Sequence, residues 1–148
     1  MQLLGILETC ICSPDLEAAE RFYTTVFGLE VISRVRGRHV FFRCGQGVFL
    51  VFDPKQTSTA ITTVAGTPIP LHGTQGAGHT AFAIKEAELD AWRARLDQLG
   101  VPIEVEIAWP EGCHSIYVRD PAGNSIELAT PRLWGLPETS TTRAEPHS

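Results

Sequence analysis

Tyr117-Val-Arg-Asp-Pro-Ala-Gly-Asn-Ser-Ile-Glu127 spells strand, turn, strand. Asp120-Pro-Ala-Gly123 carries the turn chemistry, with Pro presetting φ and Gly free to reverse it, so Ser115 to Arg119 and Asn124 to Thr130 are predicted strands. Period-two alternation puts Ser125, Glu127 and Ala129 on one face of the last strand and Ile126 and Leu128 on the other. A carboxylate is thereby set on a face that is otherwise small or apolar, where leaving it without a partner is costly.

Upstream, Ala77 to Ile84 reads as a strand, Leu89, Trp92, Leu96 and Leu99 recur at helical spacing before the stop at Gly100, and Val101 to Ile107 is a further strand. The same order occurs earlier in the chain. Leu3 to Cys12 is an apolar, branched run. Ser13-Pro14 looks like a helix start, with Ser13 as N-cap, and Leu16, Ala19, Phe22, Tyr23, Val26 and Phe27 follow with the stop at Gly28. Strands are predicted at Leu29 to Val35, His39 to Cys44 and Val48 to Phe52. Two βαβββ units thus repeat at a period of about 70 residues. The sequence predicts one α+β domain over 1–135, with a first module at 3–53, a Thr-, Pro- and Gly-rich linker at 54–76, a second module at 77–130 and a flexible tail at 136–148.

Twelve Lys and Arg against seventeen Asp and Glu give no electrostatic reason to expect nucleic acid or an anionic membrane as partner. The start of the chain lacks the basic residues of a secretory signal. Cys10, Cys12, Cys44 and Cys113 form no Cys-x-x-Cys pair. Reduced thiols in a cytoplasmic protein are the expectation.

Superposing the two units places Glu8 and His79 at one position, the middle of each opening strand. Glu8 shares its face with Leu4, Ile6, Cys10 and Cys12, and His79 shares its face with Ala77, Ala81 and Ala83. Each has an ordinary explanation: Glu8 could pair with a helix arginine such as Arg21, His79 could be a satisfied core histidine, and Glu127 could form an edge-strand ion pair. Taken together, the three make an oxygen-and-nitrogen donor set suited to Mn, Fe(II), Ni, Co, Zn or Mg.

The chain resembles the vicinal-oxygen-chelate superfamily of glyoxalase I, bleomycin-resistance proteins, fosfomycin-resistance enzymes and extradiol dioxygenases. The likeness rests on Ser13-Pro-Asp-Leu-Glu-Ala-Ala-Glu-Arg-Phe-Tyr23 running to Phe27-Gly-Leu29, on Gly78-His79-Thr-Ala-Phe82 and on Tyr117 to Glu127. It implies tandem βαβββ modules whose curved mixed sheets form a cup, a divalent metal held by Glu8, His79 and Glu127, and a small-molecule substrate. It also implies a homodimer whose sites are shared between chains. In glyoxalase I a fourth ligand, a Glu, lies on the last strand of the first module. Counting from Gly47 as from Gly123 reaches Val51 there, with Leu50 and Phe52 beside it, none a ligand.

The expected activity is therefore that of a metal-dependent lyase, isomerase or dioxygenase. Three protein ligands leave positions open for a substrate chelating through vicinal oxygens. Glu8, Tyr117 and His114 are the candidate catalytic groups, the last two with the simpler readings of a half-buried strand aromatic and a solvated turn residue. The alternative is a metal-free binder of the bleomycin-resistance kind, holding a flat ligand between Trp109, Phe49 and Phe52.

Overall fold

The computed structural model describes residues 5–138; the first four residues and most of the predicted tail, 139–148, lie outside the described residues. The first module runs β1 (Glu8–Cys12), α1 (Leu16–Phe27), β2 (Glu30–Val35), β3 (His39–Cys44) and β4 (Gly47–Phe52). The second runs β7 (His79–Ala83), α3 (Leu89–Gln98), β8 (Ile103–Trp109), β9 (Cys113–Arg119) and β10 (Ser125–Ala129). Between them the linker forms a short helix, α2 (Pro54–Thr57), and a two-stranded hairpin of β5 (Thr63–Val64) and β6 (Thr67–Pro68), where the sequence showed no period. No described helix is long and apolar enough to cross a membrane.

Each module folds its strands into one four-stranded mixed sheet, ordered β1-β4-β3-β2 and β7-β10-β9-β8. The opening strand pairs in parallel with the last strand in both, and the other pairings are antiparallel. Both modules also break register at the same place, between Val31 and Ser33 and between Ile103 and Val105.

α1 starts two residues later than the sequence suggested. Asp15, not Ser13, is the N-cap, its carboxylate accepting the Ala18 N–H at 2.8 Å. Ser13 instead donates to the Asp15 carbonyl at 2.9 Å and so shapes the approach to the helix. Gly28, at φ 68°, ends α1 in the left-handed conformation that suits a residue without Cβ. Alternation then sorts the strands. Ile11, Val40, Phe42, Phe49, Val51, Ile116, Val118, Ile126 and Leu128 turn toward the helices and join Tyr23, Val26, Leu89 and Leu96 in one core spanning both modules. Tyr23 and Phe82 each pack against Phe49, at 4.9 and 5.3 Å between ring centroids. The helix-side faces of the sheets are thus spent on the core, and the faces carrying Glu8, His79 and Glu127 are left for other work.

Candidate metal centre

Glu127 lies in β10 with only 6% of its surface exposed, opposite Tyr117 of β9 and beside Ala81 of β7. Its carboxylate is held from below. Trp109 donates its indole N–H to Ser115 Oγ at 2.9 Å, and Ser115 spends its single hydroxyl hydrogen on Glu127 Oε1 at 2.5 Å. An indole N–H can only donate, so the direction of this relay is fixed.

The other oxygen faces His79. His79 Nε2 lies 3.3 Å from Glu127 Oε2, and Nδ1 lies 3.2 Å from the Ser125 carbonyl. A carbonyl only accepts, which assigns the ring proton to Nδ1 and turns the Nε2 lone pair toward the carboxylate. Two lone-pair-bearing atoms at that separation need a cation between them or a second proton on the ring. A divalent metal fits the first requirement, and a carbonyl-oriented imidazole beside an anchored carboxylate is the usual support of such a centre.

Tyr117 completes this cluster, its ring stacked over His79 with centroids 6.3 Å apart and planes 20° from parallel. Burial first, then hydrogen bonding to the Glu127 carboxylate, raises its phenol above the ordinary value, so at neutral pH it is a donor and not a base.

Glu8 stands elsewhere. It is exposed, and it is the first residue of β1 in the other sheet, not a buried mid-strand group as the sequence suggested. His79 is likewise exposed and the first residue of its strand, so the two keep equivalent positions in the two sheets. Among the described residues no three His, Cys, Asp or Glu side chains converge on a point where a metal could bind. The chain therefore brings His79 and Glu127 together and leaves Glu8 apart.

The structure bears on three other expectations. His114 alternates with Ser115 and Tyr117, so its side chain takes the opposite face, where Nδ1 lies 2.7 Å from Glu86 without the alignment of a hydrogen bond. It faces away from the Glu127 cluster. Phe49 is a core residue, 1% exposed, so Trp109, Phe49 and Phe52 do not line a common ligand site. The counterpart of Glu127 also shifts by one residue. Glu127 pairs with Ala81, two residues beyond His79, and Leu50 pairs with Cys10, two beyond Glu8. The fourth-ligand position is Leu50, still apolar, while Val51 points into the core. Ser115 is not among the residues the sequence singles out, and Trp109 is singled out there only as a wall of the alternative ligand site, not as the donor to Ser115; the alternation that placed Tyr117 also puts Ser115 on its face.

A family model described as the glyoxalase/bleomycin resistance protein/dioxygenase superfamily matches residues 5–128. This chain belongs to that superfamily. Among solved structures of the superfamily and its fold, the lactoylglutathione lyase of Agrobacterium tumefaciens is 43% identical, with a TM-score of 0.84 over 92% of this chain and 100% of that one. A glyoxalase/bleomycin resistance protein/dioxygenase from Nocardioides is 23% identical (TM-score 0.67, covering 88% of this chain and 85% of that one). A fosfomycin resistance protein from Mesorhizobium loti is 22% identical (TM-score 0.59, 87% and 93%). The last two share the fold; the first is a relative over the whole domain.

Proposed function

We propose that the chain is a metal-dependent enzyme of glyoxalase type, a lyase or isomerase acting on a small substrate that chelates a divalent metal through two neighbouring oxygens. The observation that carries this reading is the His79–Glu127 pair, 3.3 Å apart on a sheet face kept clear of the core. The 43% identity to a lactoylglutathione lyase supports the lyase or isomerase reading over ring cleavage. Glu8, His79 and Glu127 would hold the metal, with Glu8 supplied by the partner of a two-fold dimer, since it is remote from the other two within one chain. When bound, the metal supplies Lewis-acid stabilisation of negative charge developing on a substrate oxygen.

The protein residues divide the remaining work. Glu127, gripped by Ser115, is held in one orientation. Glu8 stands exposed at the head of its strand, where a carboxylate could take and return a proton beside the substrate's carbonyl carbon. Tyr117, kept protonated, donates a hydrogen bond within the cluster. With Leu50 at the fourth-ligand position, the coordination set has one carboxylate fewer than the glyoxalase I pattern.

A metal-free binder is the second reading, favoured by the absence of three converging donors in one described chain. Protein purified without tag or chelator decides between them. Near-stoichiometric transition metal by inductively coupled plasma analysis, lost in Glu8→Gln, His79→Ala and Glu127→Gln chains that still melt cooperatively, is the expected result. Wild-type protein without metal, and with no stabilisation by added Mn or Ni, overturns it.

A further inference from the structure

The second module draws its two donors from neighbouring strands: His79 from β7, and Glu127 from β10, whose register partner on β7 is Ala81. In the first module Glu8 answers to His79, but the counterpart of Glu127 is Leu50, which has no donor atom. The register partner of Leu50 on β1 is Cys10. A donor missing from one strand is thus present on its neighbour, at the same level of the sheet.

This thiol differs from an ordinary core cysteine. Of the four cysteines, Cys12 and Cys113 are buried, Cys44 is half-buried and Cys10 is exposed. By alternation Cys10 shares its side of β1 with Glu8, opposite to Ile11, which packs in the core. Glu8 and Cys10 also border the same cavity. Alternate residues of a strand are about 6.6 Å apart. A carboxylate and a thiolate reaching from two such positions can meet on one ion, with metal–oxygen bonds of about 2.1 Å and a metal–sulfur bond of about 2.3 Å.

We infer that Cys10 is a fourth protein ligand of the metal, so that each chain gives Glu8 and Cys10 to one site of the dimer and His79 and Glu127 to the other. This rests on the metal-dependent reading above. Ligation breaks the S–H bond, forms a sulfur–metal bond and releases the proton to solvent. A six-coordinate ion held by four protein ligands still has two positions left for a substrate chelating through two oxygens. The thiolate narrows the choice of ion, away from Mg and Mn and towards Zn, Co and Ni.

Co(II) titrated into the metal-free full-length protein tests the assignment, because a thiolate bound to Co gives an intense near-ultraviolet charge-transfer band that carboxylate and imidazole ligands do not. The band should rise to saturation in wild-type protein. It should be lost in Cys10→Ser, a substitution at an exposed position that leaves the other ligands to take up Co. In wild-type protein, Co at about ten times its dissociation constant should also slow iodoacetamide alkylation of Cys10 about tenfold, followed by mass spectrometry of its peptide. Co uptake without the band, or a band that persists in Cys10→Ser, overturns Cys10 as a ligand and leaves the metal reading standing. Wild-type protein that takes up no Co overturns both.

Discussion

Glu127 owes its orientation to two residues that never reach a substrate. Ser115 accepts from Trp109 and has one hydrogen left, so the carboxylate is met by a donor whose direction is already decided. Ser115→Ala removes that donor and leaves Glu127 free to rotate; metal affinity should fall about tenfold with little change in secondary structure. Titration of Mn or Ni into metal-free protein measures it, and an affinity equal to wild type would refute the relay. Glu8, His79 and Glu127 stood out in the sequence because a titratable group on an apolar strand breaks the pattern of its neighbours. A serine on a strand breaks nothing, which is why Ser115 was invisible. His114 lies on the other face from Tyr117 for a reason its own sequence position contains: three residues away, it has the opposite parity. Leu50 was missed because the two turns differ. Gly45 and Gln46 alone join β3 to β4, where Cys44 pairs with Gly47, whereas five residues separate Arg119 from its partner Ser125. Counting from the glycine of each turn therefore slips by one.

At the scale of elements, the two modules are tied by a buried polar network around Asn124. Its amide donates to the Cys12 carbonyl at 3.0 Å and to Asp120 at 2.9 Å, and its oxygen accepts the Gly78 N–H at 2.7 Å. Cys12 ends the strand that begins at Glu8, and Gly78 precedes His79, so one side chain holds the strands that carry these two residues. Asn124→Ala orphans those two backbone groups and should cost about 3 kcal/mol in urea unfolding; a loss below about 1 kcal/mol would show the network to be dispensable. Tyr23 of α1 joins the same network by donating to Asp120 at 2.8 Å. Burial, then the Asp120 charge and hydrogen bond, raise its phenol far above the ordinary 10.0. The folded state thus keeps a proton that the unfolded chain releases near pH 10, so this stabilisation is complete below about pH 10 and declines above it. Its slope is at most about 1.4 kcal/mol per pH unit. Tyr23→Phe should show a shallower loss of stability between pH 10 and 11.5; identical slopes would exclude Tyr23 as the cause. The elements themselves were legible because their periods and glycine stops are local signals. The β5–β6 hairpin was not, since two-residue strands are too short to show alternation.

At the scale of the whole molecule, one core consumes the helix-side faces of both sheets and leaves the faces carrying Glu8, His79 and Glu127 outside it. Ile6 and Leu7, next to Glu8, are 89% and 74% exposed, apolar surface that a second copy would cover. The repeat was readable from sequence because it is a pattern along the chain. Which module meets which across a two-fold axis is a matter of surfaces, and no spacing encodes it. A self-complementary pairing that seats Glu8 of one copy against the His79–Glu127 pair of the other yields two equivalent sites. This arrangement has an unusual genetic signature. Glu8→Gln and His79→Ala chains are each defective alone. Mixed, they form a heterodimer in which one site collects both lesions and the other collects none. Metal binding should therefore return, to at most about half a site per pair of chains, since random exchange makes only about half of the dimers heterodimers. Differently tagged chains verify that exchange has occurred. No recovery once exchange is verified, or a monomer by light scattering at micromolar concentration that still binds metal, would mean that Glu8 and His79 act within one chain.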